Sequence, residues 1–321
     1  MTGSNEQHDR NDPLDPGIGN FGSLRALADR GADYLARCGV PNARNNAEWI
    51  LCDAANCDRL RIYVDDTYVP PPDQFEKYLT NLRRRAGREP LQYILGNTEF
   101  MSLAFHTPPG VFVPRPDTEL LVETSEARLR QMPLSPCLRV LDLCCGAGVI
   151  AVSLACRIPN LEAWAVDHNA RAVAVAGRNA TANGVGDRVH AVNAAAESFL
   201  ATGAVDGSAE RGGGAPTPAF AAVVCNPPYI ASADVPGLPP EVREHEPADA
   251  LDGGPDGLLF YRRVVPLLAD RIVPGGFAAF EVGATQAGGV SALLSDAGFS
   301  GVTVTADYAG LDRVVAGVRP V

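Results

Sequence analysis

Apolar residues between Leu24 and Leu95 recur near every third or fourth position: Leu24, Leu27, Ala28, Tyr34 and Leu35, then Ala47, Ile50, Leu51 and Ala54, then Phe75, Tyr78, Leu79 and Leu82. That period is helical. Breakers at Gly39, Pro41 and Pro70 to Pro72 separate the helices, so residues 20–89 are predicted to form a small all-helical domain. Residues 1–19 are rich in Gly, Pro, Asn and Asp with almost nothing apolar, the composition of a disordered tail. Residues 90–136 form a connection. Phe100, Leu103, Phe105 and Val111 to Val113 predict a hairpin, and Leu120, Leu121 and Ala127 an amphipathic helix for which Thr118 is a candidate cap.

From residue 137 to 321 the period changes. Short β-branched runs alternate with helical stretches, which predicts parallel strands joined by crossover helices. The strands are placed at Leu138 to Leu143, Leu161 to Asp167, Arg188 to Asn193, Phe220 to Asn226 and Phe277 to Val282. Val302 to Ala306 and Arg313 to Val318 flank a short turn and should pair as an antiparallel hairpin. The expected fold is therefore α/β: a doubly wound, mostly parallel, seven-stranded sheet. Residues 202–218, rich in Gly and small residues, are expected to be a flexible surface insertion.

Composition narrows the function. The chain has 321 residues, of which 46% are hydrophobic, enough for a sizeable core. No apolar run approaches the length of a membrane span, and the polar start has no signal-peptide pattern, so a cytoplasmic protein is expected. A net charge of −11 argues against gripping nucleic acid through its phosphates. The local exception, Arg83, Arg84, Arg85 and Arg88, is read as a solvated helix face. Eight cysteines without paired CxxC spacing are expected to be buried thiols, with no zinc site and no disulfide.

Chemistry concentrates in Phe220 to Ile230, FAAVVCNPPYI, where an apolar strand runs into Asn226-Pro227-Pro228-Tyr229. The carboxyl edge of an open α/β sheet is where ligands bind. This tetrapeptide suits alkylation of a nitrogen bonded to an sp² carbon. Such a nitrogen has a delocalised lone pair and an N–H too weakly acidic to remove first, so catalysis must come from positioning and electrostatics. The Asn226 side-chain carbonyl and the Pro227 backbone carbonyl are candidate acceptors for its two N–H groups. Pro227 brings no competing donor, and Tyr229 offers an apolar face to a planar acceptor.

A second constellation follows the first strand. Asp142-Leu143-Cys144-Cys145-Gly146-Ala147-Gly148 opens a helix, and Asp167 ends the next strand, 25 residues after Asp142. Glycines let backbone N–H groups approach a ligand, while the acid accepts ribose hydroxyls. The dinucleotide pattern G-x-G-x-x-G is absent, since Gly146 to Ala151 reads GAGVIA. S-adenosyl-L-methionine, which has no pyrophosphate to cradle, is the favoured cofactor, and a parallel sheet closed by one antiparallel hairpin is the methyltransferase variant of the fold.

These residues support a resemblance. PLQYILGNTEF at Pro90 to Phe100, VPRPDTELLV at Val113 to Val122, the glycine loop, Asp167, NPPYI, Arg243-x-x-Glu246-Pro247 with Ala250-Leu251, and Glu281-x-Gly283 together resemble the HemK-type release-factor glutamine methyltransferases, across roughly residues 24–320. The resemblance implies a protein acceptor, the glutamine of the Gly-Gly-Gln loop of peptide release factors, methylated at its side-chain amide nitrogen (N5). It implies that the helical domain docks that factor, that Asn226, Pro227 and Tyr229 are catalytic, and that Asn226, Pro227, Pro228, Tyr229, Arg115 and Glu119 bind the acceptor. The implied cofactor contacts are Asp142, Cys144, Cys145, Gly146, Ala147, Gly148, Asp167, Ala196 and Asn226. No metal, membrane or direct nucleic-acid partner is implied, and a monomer is expected.

The chain departs from the family pattern in three places. Cys144 replaces the first loop glycine, which requires a φ below zero there. Ala194, Ala195 and Ala196 replace an acidic-plus-aromatic pair near the adenine, leaving Glu197 or Phe199 as substitutes, and the Gly-rich insertion lengthens the approach to NPPY. Two other readings stay open: an N-methyltransferase for another amide or amino acceptor, such as a small specialised metabolite, and a non-catalytic binding module on the same fold.

Overall fold

The computed structural model describes residues 23–132, 136–202 and 219–321. The expected tail at 1–19, and the expected insertion beyond Thr202, lie outside the described residues. The chain divides into two compact units, Met1–Leu95 and Gly96–Val321.

The first unit is helical: α1 Leu24–Arg37, α2 Ala43–Ala55, α3 Arg61–Val64, α4 Pro72–Ala86 and α5 Leu91–Leu95. Its core takes Leu24, Leu35, Ile50, Leu51, Ile62, Tyr78 and Leu82, the residues that the helical period marks or that neighbour it. α1 has a glycine at 31 for a steric reason. A Cβ there would sit 2.0 Å from the hydroxyl of Tyr78, which donates to the Leu27 carbonyl at 3.0 Å. The division falls at Leu95 rather than 89 because Ile94 of α5 joins this core. The arginine cluster is a solvated face only in part. Arg85 is buried, its Nε donating to Asn46 Oδ1 at 2.7 Å, and Arg84 grips Glu89 with two bonds. Glu48, fully buried on α2, accepts from Arg44, Arg59 and Tyr63. Burial pushes its carboxyl up, but the bonds from Tyr63, Arg44 and Arg59 win and hold it below the usual range.

The second unit opens with the antiparallel hairpin β1 Asn97–Phe100 and β2 Leu103–His106, then α6 Thr118–Leu129. Strands and helices then alternate as β3 Leu138–Leu143, α7 Val149–Arg157, β4 Leu161–Asp167, α8 Ala170–Ala182, β5 Val189–Asn193, α9 Ala196–Thr202 and β6 Phe220–Cys225. The short helices α10 Pro240–Arg243 and α11 Leu259–Val264 precede β7 Ile272–Glu281, α12 Ala287–Asp296, β8 Ser300–Ala306 and β9 Asp312–Val318. The sheet order is β5-β4-β3-β6-β7-β9-β8. β5 through β7 are parallel, while β9 pairs antiparallel with both β7 and β8. The expected seven-stranded sheet and its terminal hairpin are both present.

Alternation along the strands loads both faces of the sheet. Val140 of β3 joins one core with α6, α7 and α8, whereas Leu141 and Leu143 join another with α9, α11 and α12. The strand order reverses between β3 and β6, whose last paired residues are Leu143 and Cys225. Crossovers leave in opposite directions at such a point, so a crevice opens there. The chain places both Cys144–Gly148 and Asn226–Tyr229 at its lip.

Candidate active site

A cavity of about 760 Å³ fills this crevice, within the range of small-molecule sites. The glycine loop, the β4 end and NPPY line it together. Of the residues expected at the site, Cys144, Cys145, Gly146, Ala147, Asp167, Ala196, Arg115 and Asn226 to Tyr229 are on its wall. Asp142, Gly148 and Glu119 are not.

Each exception has a structural role. Asp142 is fully buried behind the loop, its Oδ2 accepting from Ala151 N at 3.0 Å at the start of α7. Burial pushes its carboxyl up to about 8, opposed by that bond. Gly148 has φ 79°, and a Cβ there would meet the Cβ of Ala176 on α8 at 2.9 Å, so it serves helix packing. Glu119 turns away from the cavity to accept from Met101 N at 2.7 Å, pinning the tip of the β1–β2 hairpin. Met101 and Ser102 both have positive φ there, the twist that a two-residue hairpin turn demands.

Cys144 contradicts the expectation drawn from its side chain. Its φ is 56°, so the loop keeps the left-handed conformation although the glycine is gone. The cost is roughly 1–2 kcal/mol of local strain. Gly146 is open above, with nothing within 4 Å of a built Cβ, and its N–H donates to Asp167 Oδ2 at 2.9 Å. Asp167 Oδ1 accepts from Asn169 N at 2.9 Å. Burial raises the Asp167 carboxyl above its ordinary range, opposed by these two N–H bonds. Each oxygen thus accepts one backbone N–H and retains further acceptor capacity. Next to it, His168 reaches across the rim to Asp249 at 2.7 Å.

Ala194, Ala195 and Ala196 all line the cavity, with Ala195 exposed. Of the two candidate substitutes, Phe199 is buried in the core, while Glu197 lines the cavity with Arg263 3.9 Å away.

The NPPY segment is held by contacts from distant parts of the chain. Asn226 donates from Nδ2 to Thr118 Oγ1 at 3.0 Å, so Thr118 is not a helix cap but a support for the NPPY asparagine. Tyr229 donates to Glu281 Oε1 at 3.2 Å and receives Gln286 Nε2 on its backbone carbonyl at 2.7 Å. Burial raises the Tyr229 phenol, with Glu281 adding to the effect, so it stays neutral. Gly253 and Gly257 allow the backbone of 252–257 to close on Pro228 and Tyr229, where a Cβ would come within 2.8 Å and 2.3 Å of main-chain atoms. Ile230 exchanges backbone bonds with Leu251 and Gly253 at 3.0 and 2.8 Å.

Arg115, on the wall, pairs with buried Glu246 and lies 4.9 Å from the Phe112 ring centroid. Glu246 also accepts from Val113 N at 3.1 Å, which joins the PRPDTE and R-x-x-E-P segments, 131 residues apart at their charged pair. Behind the glycine loop, buried Asn179 donates to the carbonyls of Ala147 and His106 at 2.8 and 3.1 Å. Asn179 lies in no motif, while Thr118 and Glu281 fall in the PRPDTE and Glu-x-Gly segments but are not among the residues expected at the site. Only their position three-dimensionally opposite a motif marks them.

The chain matches two family models, the PrmC N-terminal domain over residues 26–96 and the methyltransferase small domain over residues 102–237. A release factor glutamine methyltransferase of Geobacter sulfurreducens is 40% identical over 295 residues, covering 92% of this chain and 96% of that protein. One from Moorella thermoacetica is 37% identical over 300 residues, covering 92% and 99%. The solved protein-(glutamine-N5) methyltransferase (release factor-specific) of Alicyclobacillus acidocaldarius is 30% identical over 68% of this chain and 100% of that one, with a TM-score of 0.38. With two such relatives matched over nearly their whole length, this chain belongs to the release factor glutamine methyltransferase family.

Proposed function

We propose that this protein transfers a methyl group from S-adenosyl-L-methionine to the side-chain amide nitrogen of the glutamine in the Gly-Gly-Gln loop of peptide chain release factors. The observation that carries this reading is the orientation of Asn226. Its Nδ2 donates to Thr118 and the side chain lines the cavity, so that its carbonyl is the group left to accept there.

The residues present fit the cofactor. Gly146 offers an open backbone approach, Asp167 a carboxylate for a diol, and the cavity the volume of a nucleoside with its side chain. Bound there, the cofactor supplies a methyl group on a sulfonium that leaves as a neutral thioether. The chain's own part is to present the nitrogen. The Asn226 carbonyl and the Pro227 carbonyl accept its N–H groups and turn the lone pair out of conjugation. Both dipoles also favour the positive charge that grows on nitrogen as the bond forms. Tyr229, neutral and buried, walls the planar amide. The proton leaves after methyl transfer, since no group here is basic enough to take it first. The helical domain contributes docking of the protein acceptor. The names of the relatives favour glutamine over a small-metabolite acceptor.

The test compares Asn226→Ala with Asn226→Asp. Removing one preorganised partner costs about 10²–10³ in kcat, so Ala is expected to be nearly inactive with cofactor affinity intact. Asp is expected to fall well below wild type. An Asp variant that matches or exceeds wild type, with a rate rising with pH, would mean a general base operates instead.

A further inference from the structure

Strand pairing lays out a row of residues at the carboxyl edge of the sheet. Val166 of β4, Leu143 of β3, Cys225 of β6 and Phe280 of β7 are successive partners across it. The residue that follows each of them continues the row: Asp167, Cys144, Asn226 and Glu281. Neighbouring strands lie about 4.8 Å apart. Asn226 therefore has one carboxylate a single strand away and another two strands away on the opposite side.

The two ends of this row are built differently. Asp167 lines the cavity, and each of its oxygens accepts a backbone N–H, from Gly146 and Asn169, at 2.9 Å. Glu281 ends β7 and is fully buried behind Tyr229, which forms the wall there. The Tyr229 hydroxyl donates to its Oε1 at 3.2 Å, and its Oε2 has no hydrogen-bond partner among the described residues. Arg313 does not answer it, being held by Asp307 at 3.0 Å and Asp117 at 3.5 Å. A buried carboxylate so poorly matched lowers stability and calls for a functional account.

Methyl transfer supplies one. The sulfonium S–C bond breaks with its electron pair left on sulfur, and the N–C bond forms from the nitrogen lone pair. Positive charge thus passes to nitrogen, until a proton is lost to water. With Asp167 on the cofactor side and Asn226 on the acceptor side, that charge moves along the row, away from Asp167 and toward Glu281.

We propose that Glu281 speeds methyl transfer as a fixed negative charge behind Tyr229, one strand beyond Asn226, toward which the positive charge of the reaction moves. A charge brought from two strand spacings to one, at an effective dielectric constant of about 20, gains a rate factor on the order of ten. The field exists only while the carboxyl is ionised. Burial pushes it up to about 6, with Tyr229 and Arg313 opposing and Asp117 pushing the same way as burial. The other titratable neighbour, Tyr261, donates to the Glu281 backbone carbonyl at 2.7 Å and stays neutral through burial.

This inference rests on the reading of Asn226 given under Proposed function, and the experiment separates the two. The single-turnover rate of methyl transfer to release factor is measured from pH 5 to 8.5 on the full chain, with KM for the factor and cofactor Kd by calorimetry. The proteins are wild type, Glu281→Gln, Glu281→Asp and Asn226→Ala. Glutamine keeps an oxygen for the Tyr229 hydroxyl and removes only the charge. Glu281→Gln is expected to lower the rate about tenfold at pH 7.5, with KM and cofactor Kd within about twofold of wild type. The wild type should fall by the same factor as pH drops through about 6 and level off at the Glu281→Gln rate. Glu281→Gln itself should show no step there, while Glu281→Asp, which keeps the charge, retains it. A glutamate that merely held Tyr229 in place would leave Glu281→Gln at the wild-type rate. The inference is overturned by that result with cofactor Kd intact, or by an acid step that persists in Glu281→Gln. An active Asn226→Ala would instead overturn the reading of Asn226 itself.

Discussion

Two buried glutamates, one in each unit, show how the same side chain is used in opposite ways. Glu48 in the helical unit is surrounded by donors, two of them arginines, and is held ionised below the usual range. Glu281 in the catalytic unit accepts from the Tyr229 hydroxyl, with no arginine in hydrogen-bond contact among the described residues, and burial pushes it up to about 6. The first is closed, because every part of its charge is answered locally. The second is left open: one oxygen accepts from Tyr229, and the other has no hydrogen-bond partner among the described residues.

The contrast is sharpest under one substitution made twice. Glu48→Gln leaves buried donors facing a neutral amide and is expected to lower unfolding stability by roughly 3 kcal/mol, read as a reduced urea midpoint. Cofactor Kd of the folded protein should be unchanged. A loss under about 1 kcal/mol would mean the arginines are satisfied by water instead.

A third carboxylate sits between these extremes. Asp167 is buried at the cavity wall, with one backbone N–H on each oxygen. Truncating a charged hydrogen-bonding partner costs about 1.5–3 kcal/mol, so Asp167→Ala should weaken cofactor binding by at least about tenfold while barely moving the unfolding midpoint. An affinity within about twofold of wild type would remove Asp167 from the cofactor site.

The smallest effect has the opposite sign. A carboxyl raised in the folded state binds protons more readily there than in the unfolded chain, so its contribution to stability is greatest below the unfolded pKa. It is lost as pH rises to about 6. Above that, burying the charge of Glu281 costs on the order of 2 kcal/mol. Glu281→Gln should therefore raise stability by up to about that amount at pH 7.5 and have no effect near pH 4. Glu48, held low, behaves in reverse: its stabilisation is present above the unfolded pKa and is lost as pH falls through the folded one. Equal and same-signed pH slopes for the two variants would dissolve the comparison.

What the sequence made legible follows from what period and motif encode. Hydrophobic spacing located α1, α2 and α4 of the first unit and the strands of the sheet, although it missed α3 and α5 and began β7 at Phe277 instead of Ile272; burial on a defined face is written into each long element separately. The NPPY tetrapeptide and the glycine loop were legible because their chemistry needs particular residues in a row. Glu119 was misplaced because adjacency to a motif says nothing about which way a helical side chain points, and it faces the hairpin at Met101. Cys144 was misjudged because the loop's conformation is imposed by its anchors, β3 and α7, and overrides the side chain's preference. The bonds of Asn226 with Thr118 and of Tyr229 with Glu281 join residues far apart in sequence, and no local residue pattern carries that pairing.

The most direct test of the central claim follows the methyl group itself. Purified release factor, intact or with the glutamine of its Gly-Gly-Gln loop replaced, is incubated with the enzyme and S-adenosyl-L-methionine labelled in the methyl group. Mass spectrometry then locates the label. The account predicts one methyl on the glutamine side-chain amide of the intact factor, none on the replaced factor, and none with Asn226→Ala. Label that persists on the glutamine-free factor, or no transfer to the intact one, would contradict it.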